Sequence, residues 1–249
     1  MDYPEILEHN LKIYSYLVDD EMNLSMPALF GLIQEISSEH VNKCNIGWQN
    51  LRKSNLFWVL SKIHIKIARL PKWSEEIIIR TWGKCHDLLV NPRDYEMEDN
   101  EGNLMMKATS SWVILDAENG KIKKLDEFDD RLVYPKEKED AITTRAPKVP
   151  KIDIQEECNF NIVLNSDIDM NKHVNNAHYV QWALDSVNQI FRQTHRLVEV
   201  VINYLSQAKL GDYYGIISKH VAENEYITSI FSKEGNMEFC RIQSIWVKR

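Results

Sequence analysis

The sequence predicts an α+β fold built twice, with a long helix against an antiparallel sheet in each half of the chain. Three observations carry this expectation. Each half holds one segment with apolar residues at helical spacing, followed by several segments whose apolar residues alternate. A charged, proline-bearing stretch that includes Lys136–Asp140 and Pro147–Pro150 lies between them and reads as a semi-extended linker. Short sequence echoes recur in the same order on either side of it. The expected boundaries are a first half at 1–128, a linker at 129–157 and a second half at 158–249.

In the first half, Leu11 to Val18 reads as a strand, with Leu11, Ile13 and Leu17 on one face and Tyr14, Tyr16 and Val18 on the other. A polar connection, Asp19–Asn23, leads to Ser25 and Pro27, a helix start. Leu29, Leu32, Ile33 and Ile36 supply the apolar stripe of a helix that ends before about Asn45. Ser54–Ala68 is a long strand with Ile63, Ile65 and Ile67 opposite Lys62, His64 and Lys66. After a turn at Pro71–Ser74 come strands at Glu76–Trp82, Tyr95–Glu98 and Leu104–Leu115, the last two joined at Asp99–Gly102.

The second half repeats this outline. A strand at Phe160–Leu164 precedes a polar connection, a helix over 176–193 with Tyr179, Trp182, Ala183, Val187 and Ile190 at helical spacing, and a long strand at Leu197–Ser206. A turn at Leu210–Asp212 and strands at Tyr214–Val221, Tyr226–Phe231 and Phe239–Val247 follow. Three echoes support a duplication: Glu21–Asn23 with Asp169–Asn171, Ala68–Leu70 with Ala208–Leu210, and Ser111–Val113 with Ile245–Val247. On that register Ser25 stands opposite His173, and Pro27–Ala28 replaces an Asn pair. A single reactive set per chain, in the second half, is the result.

That set is Asp169, Asn171 and His173, at every second residue ahead of the second helix. An extended connection would present all three on one side. Asn175 or Asn176 then starts the helix, since Asn is a good cap. The unpaired amides of a helix end can hold an oxyanion, and an Asp/His pair can move protons or position a water. Each residue alone reads as a turn, cap or hydrogen-bonding residue; the joint spacing is what points to chemistry.

Composition narrows the field. A net charge of -7 argues against a nucleic-acid binder with a broadly basic surface. Neither an apolar leader nor a run of membrane-spanning length is read, so the protein is expected in the cytoplasm without membrane insertion. The four cysteines are scattered and read as free thiols. No Gly-rich phosphate loop and no compact His/Cys set occurs, so no cofactor and no metal is expected.

The run Asp169–Asn176, with Tyr179 and Trp182, resembles the active-site signature of the fatty acyl-acyl-carrier-protein thioesterases of plants and bacteria. Phe57–Trp73 and Ala108–Ile114 resemble that family's first-domain segments, in the expected order. The resemblance implies a tandem (double) hotdog fold and hydrolysis of acyl-carrier-protein thioesters. It implies Asp169 as base or water-orienting carboxylate, His173 as its proton-handling partner and Asn171 as the residue that positions water or carbonyl. The amides at Asn175 and Asn176 are candidates for the oxyanion hole. The family's plant members carry Glu-Cys on the strand after the helix, where this chain has Gln207–Ala208. Gln can orient a group but cannot ionise, so a second carboxylate or a cysteine nucleophile there is in doubt.

Met26, Leu29, Phe30 and Ile33 are candidates for a slot taking the alkyl chain, and equally read as plain core. Lys62, Lys66, Arg69 and Lys72 form a basic cluster suited to docking the acidic carrier protein, or a solvated strand face. An acyl-coenzyme A thioesterase on the same fold would use the same residues. A non-catalytic acyl-binding regulator is the alternative from another class. Monomer and homodimer both remain open.

Overall fold

One order of elements runs twice along the computed structural model, which describes residues 3–153 and 158–249. The first unit extends to Ala146. It contains β1 (Ile6–Lys12), α1 (Met26–Lys43), the single-turn α2 (Trp48–Leu51), β2 (Leu56–Ile67), β3 (Glu76–Gly83), β4 (Asn91–Asp99), β5 (Leu104–Asp116) and β6 (Ile122–Lys123). The second unit, from Pro147, contains β7 (Phe160–Ile162), α3 (Asn176–Asp185), α4 (Gln189–Thr194), β8 (His195–Tyr204), β9 (Tyr213–Ala222), β10 (Glu225–Ser232) and β11 (Glu238–Lys248). Within the units the antiparallel strands run in matching order, β1-β3-β4-β5-β2 and β7-β9-β10-β11-β8, with β6 beside β5. Met1, Asp2 and residues 154–157, the last part of the expected linker, lie outside the described residues.

Helix α1 forms where the pattern places it. Ser25 caps it, its Oγ accepting the Ala28 N–H at 3.3 Å, and Pro27 occupies the first turn, where a missing N–H costs nothing. Leu29, Phe30, Ile33 and Ile36 are buried, as are Ile63, Ile65 and Ile67 of β2. The turns after β4 and β10 each use a glycine at positive φ, Gly102 (83°) and Gly235 (69°), a conformation side chains with a Cβ resist.

The structure corrects three segments. The first strand is Ile6–Lys12, not Leu11–Val18. Its register with β3 runs from Ile6↔Trp82 to Lys12↔Glu76. It then ends as Ile13 exchanges backbone bonds with Ser74 and Glu75, both 2.8 Å. Tyr14 and Tyr16 stack on each other, exposed, 5.8 Å apart, so their apolar character does not mark a paired strand. The second helix breaks after Asp185. Ser186 Oγ bonds back to the Ala183 carbonyl at 2.7 Å, and Asn188 caps a new helix by accepting the Phe191 N–H at 3.1 Å. Ile190 is therefore exposed and leaves the buried stripe.

The third correction concerns 129–146, expected as exposed linker. It is irregular but packs onto the first unit, with Leu132, Ala141, Ile142 and Ala146 buried. Lys138 bonds Glu96 at 2.7 Å and lies over the Trp82 ring. Buried Asp94 accepts the Ala141 N–H at 2.8 Å, and Lys84 pairs with both Asp94 (3.4 Å) and Asp140 (2.8 Å). An extended strand-free segment leaves backbone groups to satisfy, and these side chains satisfy some of them.

The C-terminal half of α1 faces a buried polar network. His40 Nε2 bonds the Pro4 carbonyl and Nδ1 accepts from Arg93, both 2.7 Å, while Arg93 also reaches Thr81 at 3.2 Å. Ser37, Tyr95 and Ser110 continue it through bonds of 2.8 and 3.2 Å. Burial, with the Arg93 cation second, pushes the His40 ring down to about 4. The native state thus holds it neutral, whereas the unfolded ring takes a proton near its ordinary 6.5. Stability from this site is full above that value and is lost as pH falls toward about 4, at most by about 3 kcal/mol. Denaturant midpoints of the parent and of His40→Gln at pH 7 and pH 4 check this: the acid loss is expected to be smaller in the variant.

Candidate active site

The residues Asp169 to His173 form a closed turn, not the extended run expected from their period-two spacing. The Asp169 N–H bonds the His173 carbonyl at 2.8 Å, and the Lys172 N–H bonds the Asp169 carbonyl at 3.0 Å. Ile168 and Val174 bridge at its base, and Lys172 takes a positive φ of 66° at its tip. The Asp169 carboxylate explains the reversal. Its Oδ1 accepts the N–H groups of Asn171 (2.8 Å) and His173 (3.4 Å), offering the backbone an alternative to strand pairing.

His173 is half-buried. Its Nδ1 is buried with no hydrogen-bond partner among the described residues. Burial lowers its pKa, the Asp169 charge opposes this, and the Lys209 cation adds to the lowering. The ring is therefore neutral at neutral pH, beside a carboxylate. The next residues set the helix end. Asn175 bonds the Asp167 carbonyl through its N–H (2.8 Å), and its side chain caps α3 by accepting the Ala177 N–H at 3.0 Å. The Asn175 carbonyl takes the His178 N–H at 2.9 Å. These bonds leave the Asn176 N–H as the donor at the positive end of α3.

Two further groups stand near this helix end that the sequence pattern does not mark. Asp167 is buried, accepts the Leu164 N–H at 2.7 Å and stands 3.6 Å from His178 Nδ1. Tyr214 of β9 stacks on Trp182 at 4.0 Å, and burial first pushes its hydroxyl up to about 12. Only tertiary packing brings β9 to α3, so spacing could not reveal Tyr214; the Leu164–Asp167 interval was a signal available. Gln207 is exposed and lies beyond the end of β8, in the connection to Ala208, rather than on the strand.

In the first unit, Met26, Leu29, Phe30 and Ile33 form one buried stripe on α1. Of the basic cluster, Lys66 and Lys72 are exposed and Lys62 is half-buried. Arg69 differs: it grips Glu75 through two bonds (3.0 and 2.6 Å) and Asp99 at 2.9 Å, so its charge is already balanced.

Backbone geometry also resets the internal register. Asp19 Oδ1 accepts the N–H groups of Glu21 (3.0 Å) and Asn23 (2.9 Å), Val18 bridges Leu24, and Met22 has φ 62°. Asp19 thus corresponds to Asp169, Asn23 to His173 and Ser25 to Asn175; the Met-Asn echo is out of step, and Ser25 is not the counterpart of His173. Likewise the Leu24 N–H bonds the Pro71 carbonyl (2.7 Å) as the Val174 N–H bonds that of Ala208 (3.0 Å), so Pro71 matches Ala208 in place of Ala68. The Trp echo holds, since Trp112 and Trp246 each donate to the serine two residues earlier, at 2.8 and 3.0 Å. Among the described residues, no group of three or more His, Cys, Asp or Glu is placed to hold a metal ion.

Comparison with known proteins adds sequence and fold relatives. Residues 4–130 match the model of the acyl-ACP thioesterase N-terminal domain, and residues 150–248 that of the C-terminal domain. The chain is 25% identical to the chloroplastic oleoyl-acyl carrier protein thioesterase 2 of Arabidopsis thaliana, over 90% of this chain and 65% of that protein's length. Among solved structures, an acyl-ACP thioesterase from Bacteroides thetaiotaomicron shares 23% identity, with a TM-score of 0.88 over 98% of each chain. The 12:0-ACP thioesterase from Umbellularia californica shares 18%, with a TM-score of 0.87 over all of both chains. The fold is accordingly the tandem hotdog.

The electrostatics of the turn make a direct prediction. Lys209 disfavours a charged His173, so Lys209→Met is expected to raise the titration midpoint of the His173 ring, followed by its Cε1 proton resonance. An unmoved midpoint would show that Lys209 does not act on the ring.

Proposed function

This chain belongs to the acyl-ACP thioesterase family, and on that premise we propose that it hydrolyses the thioester between a fatty acyl chain and the phosphopantetheine arm of acyl-carrier protein. Water supplies a hydroxyl to the acyl carbon, the carbon–sulfur bond breaks, and the thiolate takes a proton, giving free fatty acid and holo carrier protein. The observation that carries this reading is the closed turn, which sets neutral His173 beside Asp169 and just ahead of the Asn176 N–H.

In this reading Asp169, with Oδ1 engaged by the turn, orients the water through Oδ2, and His173 accepts and returns the proton. Asn171 helps to hold water or carbonyl. The Asn176 amide, at a helix end shaped by Asn175, stabilises the tetrahedral oxyanion, a role in which losing one donor costs about 2.7–4 kcal/mol of barrier. Gln207 orients without ionising.

The first unit is assigned the acyl chain, taken against Met26, Leu29, Phe30 and Ile33, whose burial on one stripe supports the assignment equally with a core role. Carrier docking rests on Lys66 and Lys72, with Lys62 beside them and without a net contribution from Arg69. No described helix is long and apolar enough to cross a membrane. The cytoplasm, without cofactor and as monomer or homodimer, is the setting assigned to the reaction.

Asp169→Ala and His173→Ala are each expected to cut turnover by orders of magnitude, with the thermal unfolding transition retained. Near-parent rates in either would remove its assignment. Because burial lowers the His173 pKa, the acid limb of kcat/KM is expected to have its midpoint below the ordinary histidine value. A C8 to C18 acyl series presented on carrier protein and on coenzyme A tests the substrate: carrier-protein forms are expected to react faster, and equal or faster rates on coenzyme A would move the enzyme to the acyl-coenzyme A class.

A further inference from the structure

We infer that Tyr179 and Tyr204 are positioning residues for the reaction proposed above: their hydroxyls fix the backbone from which the site is hung. Tyr179 is buried on α3, and its hydroxyl accepts the Ala208 N–H at 3.0 Å. Tyr204, the last residue of β8, donates its hydroxyl to the Asn176 carbonyl at 3.1 Å. The two rings meet edge to face, 5.9 Å apart.

Each contact lands on a junction. Ala208 is fully buried, and its carbonyl accepts the N–H of Val174, the residue after His173, at 3.0 Å. Gln207 precedes it. A single residue therefore sets the height of the His173 turn and the end of the Gln207 connection, and Tyr179 ties that residue to the helix. Asn176 carries the N–H left at the helix end, and Tyr204 holds the same residue by its carbonyl. Burial raises both phenol pKa values, so both hydroxyls keep their protons.

The first unit shows what these hydroxyls are not needed for. By the backbone register, Tyr179 corresponds to Leu29, Tyr204 to Ile67 and Ala208 to Pro71, which has no N–H to satisfy. Turn, cap and helix form there with neither hydroxyl, so the scaffold alone does not call for them. They occur in the unit that carries Asp169, Asn171 and His173.

The test uses the full chain with Tyr179→Phe and Tyr204→Phe, assayed on acyl-carrier-protein substrate beside His173→Ala. Ser218→Ala, which removes a side-chain bond to Thr228 (2.9 Å) between β9 and β10, serves as a matched loss of one hydrogen bond. Each tyrosine variant is expected to lower kcat about tenfold or more through misplacement of the reacting groups, with KM within about twofold of the parent. Ser218→Ala is expected to keep the parent kcat. Parent kcat in both tyrosine variants, with His173→Ala inactive, would overturn this inference and leave the proposed reaction standing. Parent kcat in His173→Ala would overturn the proposed reaction, and this inference with it.

Discussion

A carboxylate oxygen that accepts two backbone N–H groups closes the loop ahead of the main helix in each unit. The amides of a loop that enters a helix have no strand or helix partner, and a side-chain carboxylate offers them one. Asp19 and Asp169 answer this in the same way, with donors two and four residues on and a left-handed residue at the tip. The side chain two places beyond that carboxylate's first donor hangs from this frame. The reaction proposed for the second unit depends on that frame, because the frame sets the backbone of His173 ahead of the helix end.

The two units then diverge by small substitutions on one backbone plan. His173 is replaced by Asn23, Tyr179 by Leu29, and Ala208 by Pro71. The first unit places its polar groups elsewhere, deep against the C-terminal half of α1, where Arg93 is buried and bonded to His40 and Thr81 rather than to a carboxylate. The negative end of α1 lies nearby and offsets part of the cost of that cation. One half thus buries a cation against a neutral imidazole, and the other carries the Asp169, Asn171 and His173 set, in which burial lowers the His173 pKa.

Much of this was legible in the sequence, and the failures have physical causes. The long strands and α1 follow from period-two and helical spacing, together with the Ser25–Pro27 start. The edge strand β1 is hidden in the sequence because Glu8, His9 and Asn10 are polar on both faces, while exposed Tyr14 and Tyr16 imitate a strand. The break in the second helix leaves no trace in the periodicity, because Ser186 and Asn188 act through side-chain bonds to the backbone. Asp169, Asn171 and His173 are visible as a set in the sequence, but the turn that arranges them is not. Spacing alone does not say whether an Asp side chain will fold the chain back on itself. The Met-Asn echo misled for a related reason, since the register of the duplication is fixed by positive φ and bridging bonds rather than by residue identity.

The central claim is that one frame exists twice and reacts once. Steady-state turnover of Asp19→Asn and Asp169→Asn tests it most directly, because an Asn side-chain oxygen accepts the same two amides while removing the charge. Both variants are predicted to remain folded, with turnover on acyl-carrier-protein substrate unchanged for Asp19→Asn and lost for Asp169→Asn. Equal turnover in the two variants would contradict the account.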